Sequence, residues 1–186
     1  PHDVNGLIEM LGGKEKAEAR LDSLFLASSQ LNADANPDIS GLIGQYAHGN
    51  EPSHHTIYIY NYLGKPEKAQ KRINEVFETM YTDKPDGVCG NEDVGQMSAW
   101  YVLSAIGLYQ VCPGIPVYAL GRPIVNKATL PMQKGTLEIL VHNNAAANKY
   151  VKEVKWNGKP LDKPFITHTE LIQGGKLEFT MNDTHQ

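Results

Sequence analysis

The chain has 186 residues, 41% of them hydrophobic, enough for one or two packed domains. Its 17 Lys and Arg against 21 Asp and Glu leave a net charge of -4 with no basic stripe, which argues against nucleic acid as a partner. No apolar run approaches the roughly 20 residues of a membrane span, and two cysteines, Cys89 and Cys112, are too few for a disulfide framework or a four-thiolate zinc site, though they could pair with each other.

The first part reads as helical. The segment Pro1-His2-Asp3-Val4-Asn5-Gly6-Leu7 has no initiator Met and no charged-then-apolar leader, and reads as a piece cut from something longer. Apolar residues at 4, 7, 8 and 11 predict a helix over 4–11, stopped by Gly12-Gly13. A second helix is expected over 15–27, with Ala17, Leu21, Leu24 and Phe25 inward. Residues 28–50 look like loop, rich in Asn, Asp, Pro and Gly. The run Thr-Ile-Tyr-Ile-Tyr-Asn-Tyr-Leu over 56–63 alternates like a strand, but the Pro52-Ser53 start and the Gly64-Lys65-Pro66 stop favour a helix. Pro66 opens a further helix to about residue 81, with Ile73, Val76, Phe77 and Met80 on one face. A turn at 83–87 and a last helix over 95–106, capped by Gly107, complete this half, and consecutive helices are expected as antiparallel neighbours.

From about residue 110 the period changes from helix to strand. Segments 124–130, 136–142, 149–156 and 176–181 read as strands, and Leu137/Ile139/Val141 and Leu177/Phe179/Met181 alternate. Asn157-Gly158 signals a tight hairpin and Gln173-Gly174-Gly175 another turn. The fold expected is α+β: a helical region over 1–112, then a small antiparallel β unit over 113–186.

Two polar loops, each followed by an aromatic helix, carry the chemistry. The first is His48-Gly49-Asn50-Glu51-Pro52-Ser53-His54-His55. Asn50 and Glu51 supply hard oxygen donors of the kind Ca²⁺ accepts in irregular loops. His48, His54 and His55 suit zinc by type, but their spacing lacks the helical His-Glu-x-x-His form. The plainer role for Glu51-Pro52-Ser53 is a helix start, and for the histidines a surface or internal polar network. The second loop, Gly90-Asn91-Glu92-Asp93-Val94-Gly95-Gln96, leads into Met97-Ser98-Ala99-Trp100-Tyr101. Carboxylates at the mouth of a helix suit general-base work. Asp93 and Gln96 also match a capping box, and the two roles are compatible. Tyr58, Tyr60, Tyr62, Trp100 and Tyr101 could line a sugar subsite, and more of them are expected in the core. His2 and Asp3 could cap a helix or face a cavity.

Pro1-His2-Asp3-Val4-Asn5-Gly6-Leu7, the run from Gly44 to His55 and the run from Gly90 to Tyr101 occur in the order and at the intervals of one family. The chain resembles the C-terminal part of the catalytic region of the glycoside hydrolase family 92 α-mannosidases, over residues 1–125 and more loosely beyond. The resemblance implies a calcium-dependent, inverting, exo-acting enzyme of mannose-containing glycans, with α-1,2-linked mannose of N-glycans the expected substrate. It implies an N-terminal β-sandwich joined to an (α/α)6 barrel, of which the helices here would be part. Asp93 falls on the family's general base and Asn50 and Glu51 on its calcium-site pair. Asn91 stands where many members have an acid, so the pKa of Asp93 shifts or Glu92 takes the supporting role. His54, His55, His2 and Asp3 are the candidate substrate-binding residues.

An inverting glycosidase needs acid and base carboxyls about 6.5–9.5 Å apart. The family's general acid is a Glu in a Glu-Gly-x-x-Trp-Gln-Tyr motif shortly before Pro-His-Asp, which this sequence does not contain, so the N-terminal remainder of the same enzyme is an expected partner and the chain alone is expected to be nearly inactive. The expected location is the bacterial periplasm or exterior. Rival readings are a non-catalytic glycan-binding or structural module, and a zinc hydrolase using the histidines.

Overall fold

The computed structural model describes residues 2–36 and 39–184. Helix α1 spans Val4–Met10 and is capped by Asp3, whose carboxylate accepts from the Gly6 N–H at 2.8 Å. Gly12 and Gly13 take φ of 90° and 100°, left-handed conformations that end α1 and open α2, Lys14–Leu26. Helix α2 buries Ala17, Leu21 and Phe25, as its spacing predicts.

The expected loop over 28–50 contains a short hairpin, β1 (Leu42–Ile43) and β2 (Tyr46–Ala47). Strands of two residues carry no readable period. The Ile/Tyr run resolves as helix: a 3₁₀ turn, Thr56–Tyr58, leads into α3, Ile59–Leu63, closed by left-handed Gly64. Helix α4, Pro66–Thr79, starts at its proline and buries Ala69, Ile73 and Val76. Helix α5 is Gln96–Ala105.

The second half holds more strands than periodicity shows. A three-stranded sheet joins β3 (Leu108–Tyr109), β4 (Val117–Leu120) and β9 (Phe165–Thr167), in the order β3-β4-β9, and so straddles residues 112 and 113. A five-stranded sheet joins β5 (Lys127–Pro131), β6 (Thr136–His142), β7 (Tyr150–Trp156), β8 (Lys159–Pro160) and β10 (Gly175–Asn182), in the order β5-β6-β10-β7-β8. Asn157 and Gly158 take φ of 50° and 78° in the β7–β8 turn, as Asn-Gly predicts. A short helix, α6 (His168–Leu171), follows β9 and carries a complete Thr167–Glu170 capping box.

One expectation is corrected here. The β unit is not wholly antiparallel, because β10 inserts between β6 and β7 and runs parallel to β6. An in–out alternation of side chains is the same in either direction, so sequence cannot report it.

Two hydrophobic cores result. The helical one gathers Phe25, Tyr46, Tyr58, Tyr60, Ile73 and Trp100, and the other lies against Leu137, Ile139, Leu177 and Phe179 of the large sheet. Buried amides tie the halves together: Asn61 donates to the Leu120 carbonyl at 2.8 Å, and the Gln70 amide oxygen accepts from Val151 N–H at 2.9 Å. These bonds make the two sheets a fixed support behind α3 and α4.

Candidate active site

Loop 90–95 has an unusual backbone. Asp93, Val94 and Gly95 are all left-handed, with φ of 46°, 58° and 87°. Glycine adopts this freely, but a β-branched residue does so at a cost of about 1–2 kcal/mol. Val94 is fully exposed, so no packing of its side chain compensates. The left-handed turn carries Asp93 away from its own helix.

The expected capping box therefore does not form. Gly95 is the N-cap of α5 and no side chain caps it. Glu92 serves that helix end instead: its carboxylate accepts from the Ser98 N–H at 2.9 Å and the Ser98 hydroxyl at 3.0 Å. Gln96 donates to His54 Nδ1 at 3.2 Å rather than reaching back to its cap. Asp93 is left exposed, with its carboxyl facing Glu51 of the other loop. The hydrogen bond to Glu51 comes first in holding Asp93 above the usual carboxylate range, followed by partial desolvation and the Glu51 charge. The acid acting on Asp93 is thus Glu51, while Glu92 is engaged by Ser98 and Asn91 is exposed beside it.

Glu51 opens a 3₁₀ turn, Glu51–Ser53, which Pro52 starts. Its Oε1 is buried without a hydrogen-bond partner. A buried carboxylate oxygen left bare beside a second carboxyl favours a positive charge nearby. Among the described residues, however, no group of three or more His, Cys, Asp or Glu side chains is gathered as a metal cluster. The zinc reading of the histidines therefore finds no three-ligand set among the described residues.

The histidines form an internal network instead. His48 and His54 are both buried, with rings stacked at 4.7 Å and Trp100 edge-on to His48 at 4.4 Å. Their tautomers follow from their partners. Tyr81 donates its hydroxyl proton to the Met97 carbonyl at 3.0 Å, so its oxygen accepts from His48 Nε2–H at 2.8 Å. His48 Nδ1 then accepts from the Tyr46 hydroxyl at 2.7 Å. His54 donates from Nε2 to the His48 carbonyl at 2.9 Å and accepts from Gln96 at Nδ1. Trp100 donates to the His54 carbonyl at 3.2 Å. The two bonds accepted at Nδ1 require neutral rings, and burial pushes His48 down to about 3, with His54 adding to the effect. His54 and His55 are also lowered, each mainly by burial.

His2, Asp3 and His55 line one cavity of about 450 Å³, with Met10 and Ile59. His54 is not among its walls. Tyr58 and Tyr60 are sealed in the core, bonded to Ser104 and Asp22 at 2.8 Å each, so they line no open subsite within this structure. Cys89 and Cys112 are both free thiols, and Cys112 contacts the His2 carbonyl at 3.4 Å. Sequence reasoning missed the Glu92–Ser98 cap and the Gln96–His54 bond, since neither has a fixed local spacing.

Facing carboxyl groups on loops at helix ends, braced by a buried polar network, are the equipment of a hydrolase acting on a polar substrate. The chain belongs to glycosyl hydrolase family 92, whose catalytic-domain model matches residues 1–183. It is 31% identical over 185 residues to an uncharacterized secreted glycosidase of Arthroderma benhamiae, covering 97% of this chain and 22% of that protein. It is 42% identical to a family GH92 α-mannosidase of Bacteroides thetaiotaomicron solved with mannoimidazole, with a TM-score of 0.93 over 99% of this chain and 24% of the other. A family GH92 inverting mannosidase of Bacteroides thetaiotaomicron VPI-5482 matches at 41% identity and a TM-score of 0.83, over 98% of this chain and 26% of the other. The chain thus spans about a quarter of the length of these relatives.

Proposed function

We propose that these residues form part of an inverting exo-α-mannosidase in which Asp93 is the general base. One observation carries the reading: Asp93 is released from capping its own helix and faces Glu51 across two loops, in a chain of glycosyl hydrolase family 92. In this scheme Asp93 takes a proton from water as the water oxygen attacks the anomeric carbon, on the face opposite the leaving group. The general acid that protonates the leaving oxygen comes from a part of the parent protein outside these 186 residues, so this chain alone turns over slowly or not at all. The helices would form part of an (α/α)6 barrel completed by that same remainder.

The residues fit a calcium ion in part. Asn50 and Glu51 offer hard oxygen donors, and the bare buried Oε1 of Glu51 lacks a counterpart that a cation would supply. Further oxygens would come from water, from sugar hydroxyls or from the parent chain. When bound, the ion supplies Lewis-acid polarisation and a template for the sugar. His2, Asp3 and His55 are proposed to contact substrate from their shared cavity, and His54, which is buried, to support substrate binding through its bonds to the His48 carbonyl and Gln96. The substrate class is mannose-containing glycans, with α-1,2-linked mannose of N-glycans as the first candidate.

A periplasmic or secreted location is proposed, the secreted alternative supported by the secreted glycosidase of Arthroderma benhamiae. No described helix is long and apolar enough to cross a membrane.

The test uses the full-length enzyme with calcium and an α-mannoside. Asp93→Ala is expected to lower kcat by about 10²–10⁴-fold with the fold retained. An unchanged rate overturns the assignment. Sugar affinity that survives both Asp93→Ala and Glu51→Gln, in a parent that hydrolyses nothing, would establish a binding module in its place.

A further inference from the structure

In the proposed function the base Asp93 and the calcium-site residue Glu51 serve one sugar, yet they stand on different loops. No backbone hydrogen bond among the described residues joins residues 50–53 to residues 90–95. Two other joints hold these loops together. The first is steric. A Cβ on Gly90 would fall 2.4 Å from the Gly49 carbonyl oxygen and 2.7 Å from the Gly49 Cα. A Cβ on Gly49 would fall 2.1 Å from Ser40 Oγ and 3.1 Å from the Cys89 carbonyl oxygen. Neither glycine has a positive φ, so close approach of the Gly49 backbone, not conformation, demands glycine at 90, while at 49 the nearest atom is the movable Ser40 hydroxyl.

The second joint is polar and continuous. The Glu51 carbonyl accepts from the His54 N–H at 3.0 Å. His54 Nδ1 accepts from the Gln96 side chain at 3.2 Å. The Gln96 N–H donates to the Asp93 carbonyl at 3.2 Å. Three hydrogen bonds therefore run from the backbone of one carboxylate residue to the backbone of the other, and the middle one is reinforced by Trp100 on the His54 carbonyl. Such a chain is stiff because its His54 segment is buried.

We propose that Gly90, packed on Gly49, and Gln96, bonded to His54, are positioning residues that set the distance between the Glu51 and Asp93 carboxyls. They act through those residues and do not touch the substrate. The proposal rests on Asp93 being the base.

The experiment measures Gly90→Ala and Gln96→Leu in the full-length enzyme, alone and combined with Asp93→Ala. Each single change is expected to lower kcat by about 10–100-fold, the scale of a 1 Å misplacement, with KM within about twofold and the circular dichroism spectrum retained. In the Asp93→Ala background neither change is expected to slow the residual rate further, because a positioning residue has nothing left to position. Should Gly90→Ala fail to fold, Gln96→Leu carries the test. Parent-like kcat in the folded single variants, or losses that multiply with Asp93→Ala, would overturn the proposal. An Asp93→Ala enzyme of full activity would instead overturn the base assignment beneath it.

Discussion

The helical core buries His48, His54, Asn61, Gln70, Asn74 and Ser104 among its rings, whereas in the described residues after β3 the one polar side chain so buried is Arg122. The β unit closes over Leu137, Ile139, Val141, Leu177, Phe179 and Met181. Both cores are sealed, but by different forces. Apolar contacts are non-directional and set shape and stability. Hydrogen bonds between buried groups are directional and expensive to leave unmade, so they set angles and distances. Asn61 and Gln70 of the directional core face the β unit, and its His48–His54 part is bonded to the two carboxylate loops, where geometry matters most. The apolar core lies behind them, where rigidity of the support is enough.

The largest expected effect breaks the apolar side. Phe179→Ala should destabilise by about 3–5 kcal/mol, through lost burial plus a cavity between the sheet and Gly107. Urea denaturation would show it, and the folded fraction should keep its site geometry.

Acid separates the cores next. His48 has a folded pKa of about 3, well below its ordinary value near 6.5. Below pH 6.5 the unfolded chain binds a proton there that the folded chain refuses. Stability is therefore full above that pH and falls as pH drops toward 3, by about 1.4 kcal/mol per pH unit for one histidine. His54, lowered in the same direction, steepens the slope. Denaturation midpoints between pH 7 and 4 would measure the fall, and His48→Gln should flatten it. A slope unchanged in His48→Gln would contradict the buried-network account.

Tyr46→Phe is a smaller break on the polar side. It removes the donor to His48 Nδ1 and leaves a buried acceptor unpaired, at about 1–3 kcal/mol. The smallest effect is a gain. Val94→Gly relieves a left-handed β-branched residue and should add up to about 1 kcal/mol of stability. In the full-length enzyme kcat should fall at the same time, because glycine frees Asp93 to leave Glu51. A stabilised variant with parent kcat would show that the strained turn plays no part in the site.

Much of this architecture is legible in the sequence alone. The stripe of Ile73 and Val76 with Pro66 ahead of it announced α4, and the alternation of Leu137, Ile139 and Val141 announced β6. Asn157-Gly158 announced its hairpin. The two polar loops stood out as candidates because acids, amides and glycines crowd there. What stayed hidden lacked a local period. The strands β1, β3 and β8 are two residues long, and the parallel pairing of β10 with β6 depends on a strand inserted from far along the chain.

The capping-box expectation shows where local rules end. Asp93 and Gln96 have the right spacing, and in isolation they would cap α5. Glu92 reaches Ser98 and His54 draws Gln96 away, so the local motif yields to a partner on another loop. Periodicity, turn residues and residue type settled the helices and the main strands, because those depend on neighbours within a few positions, while the family rested on the resemblance of three ordered motifs. Which carboxyl faces which, which histidines are neutral and buried, and why Gly90 admits no side chain were decided by folding, because each depends on segments brought together from distant parts of the chain.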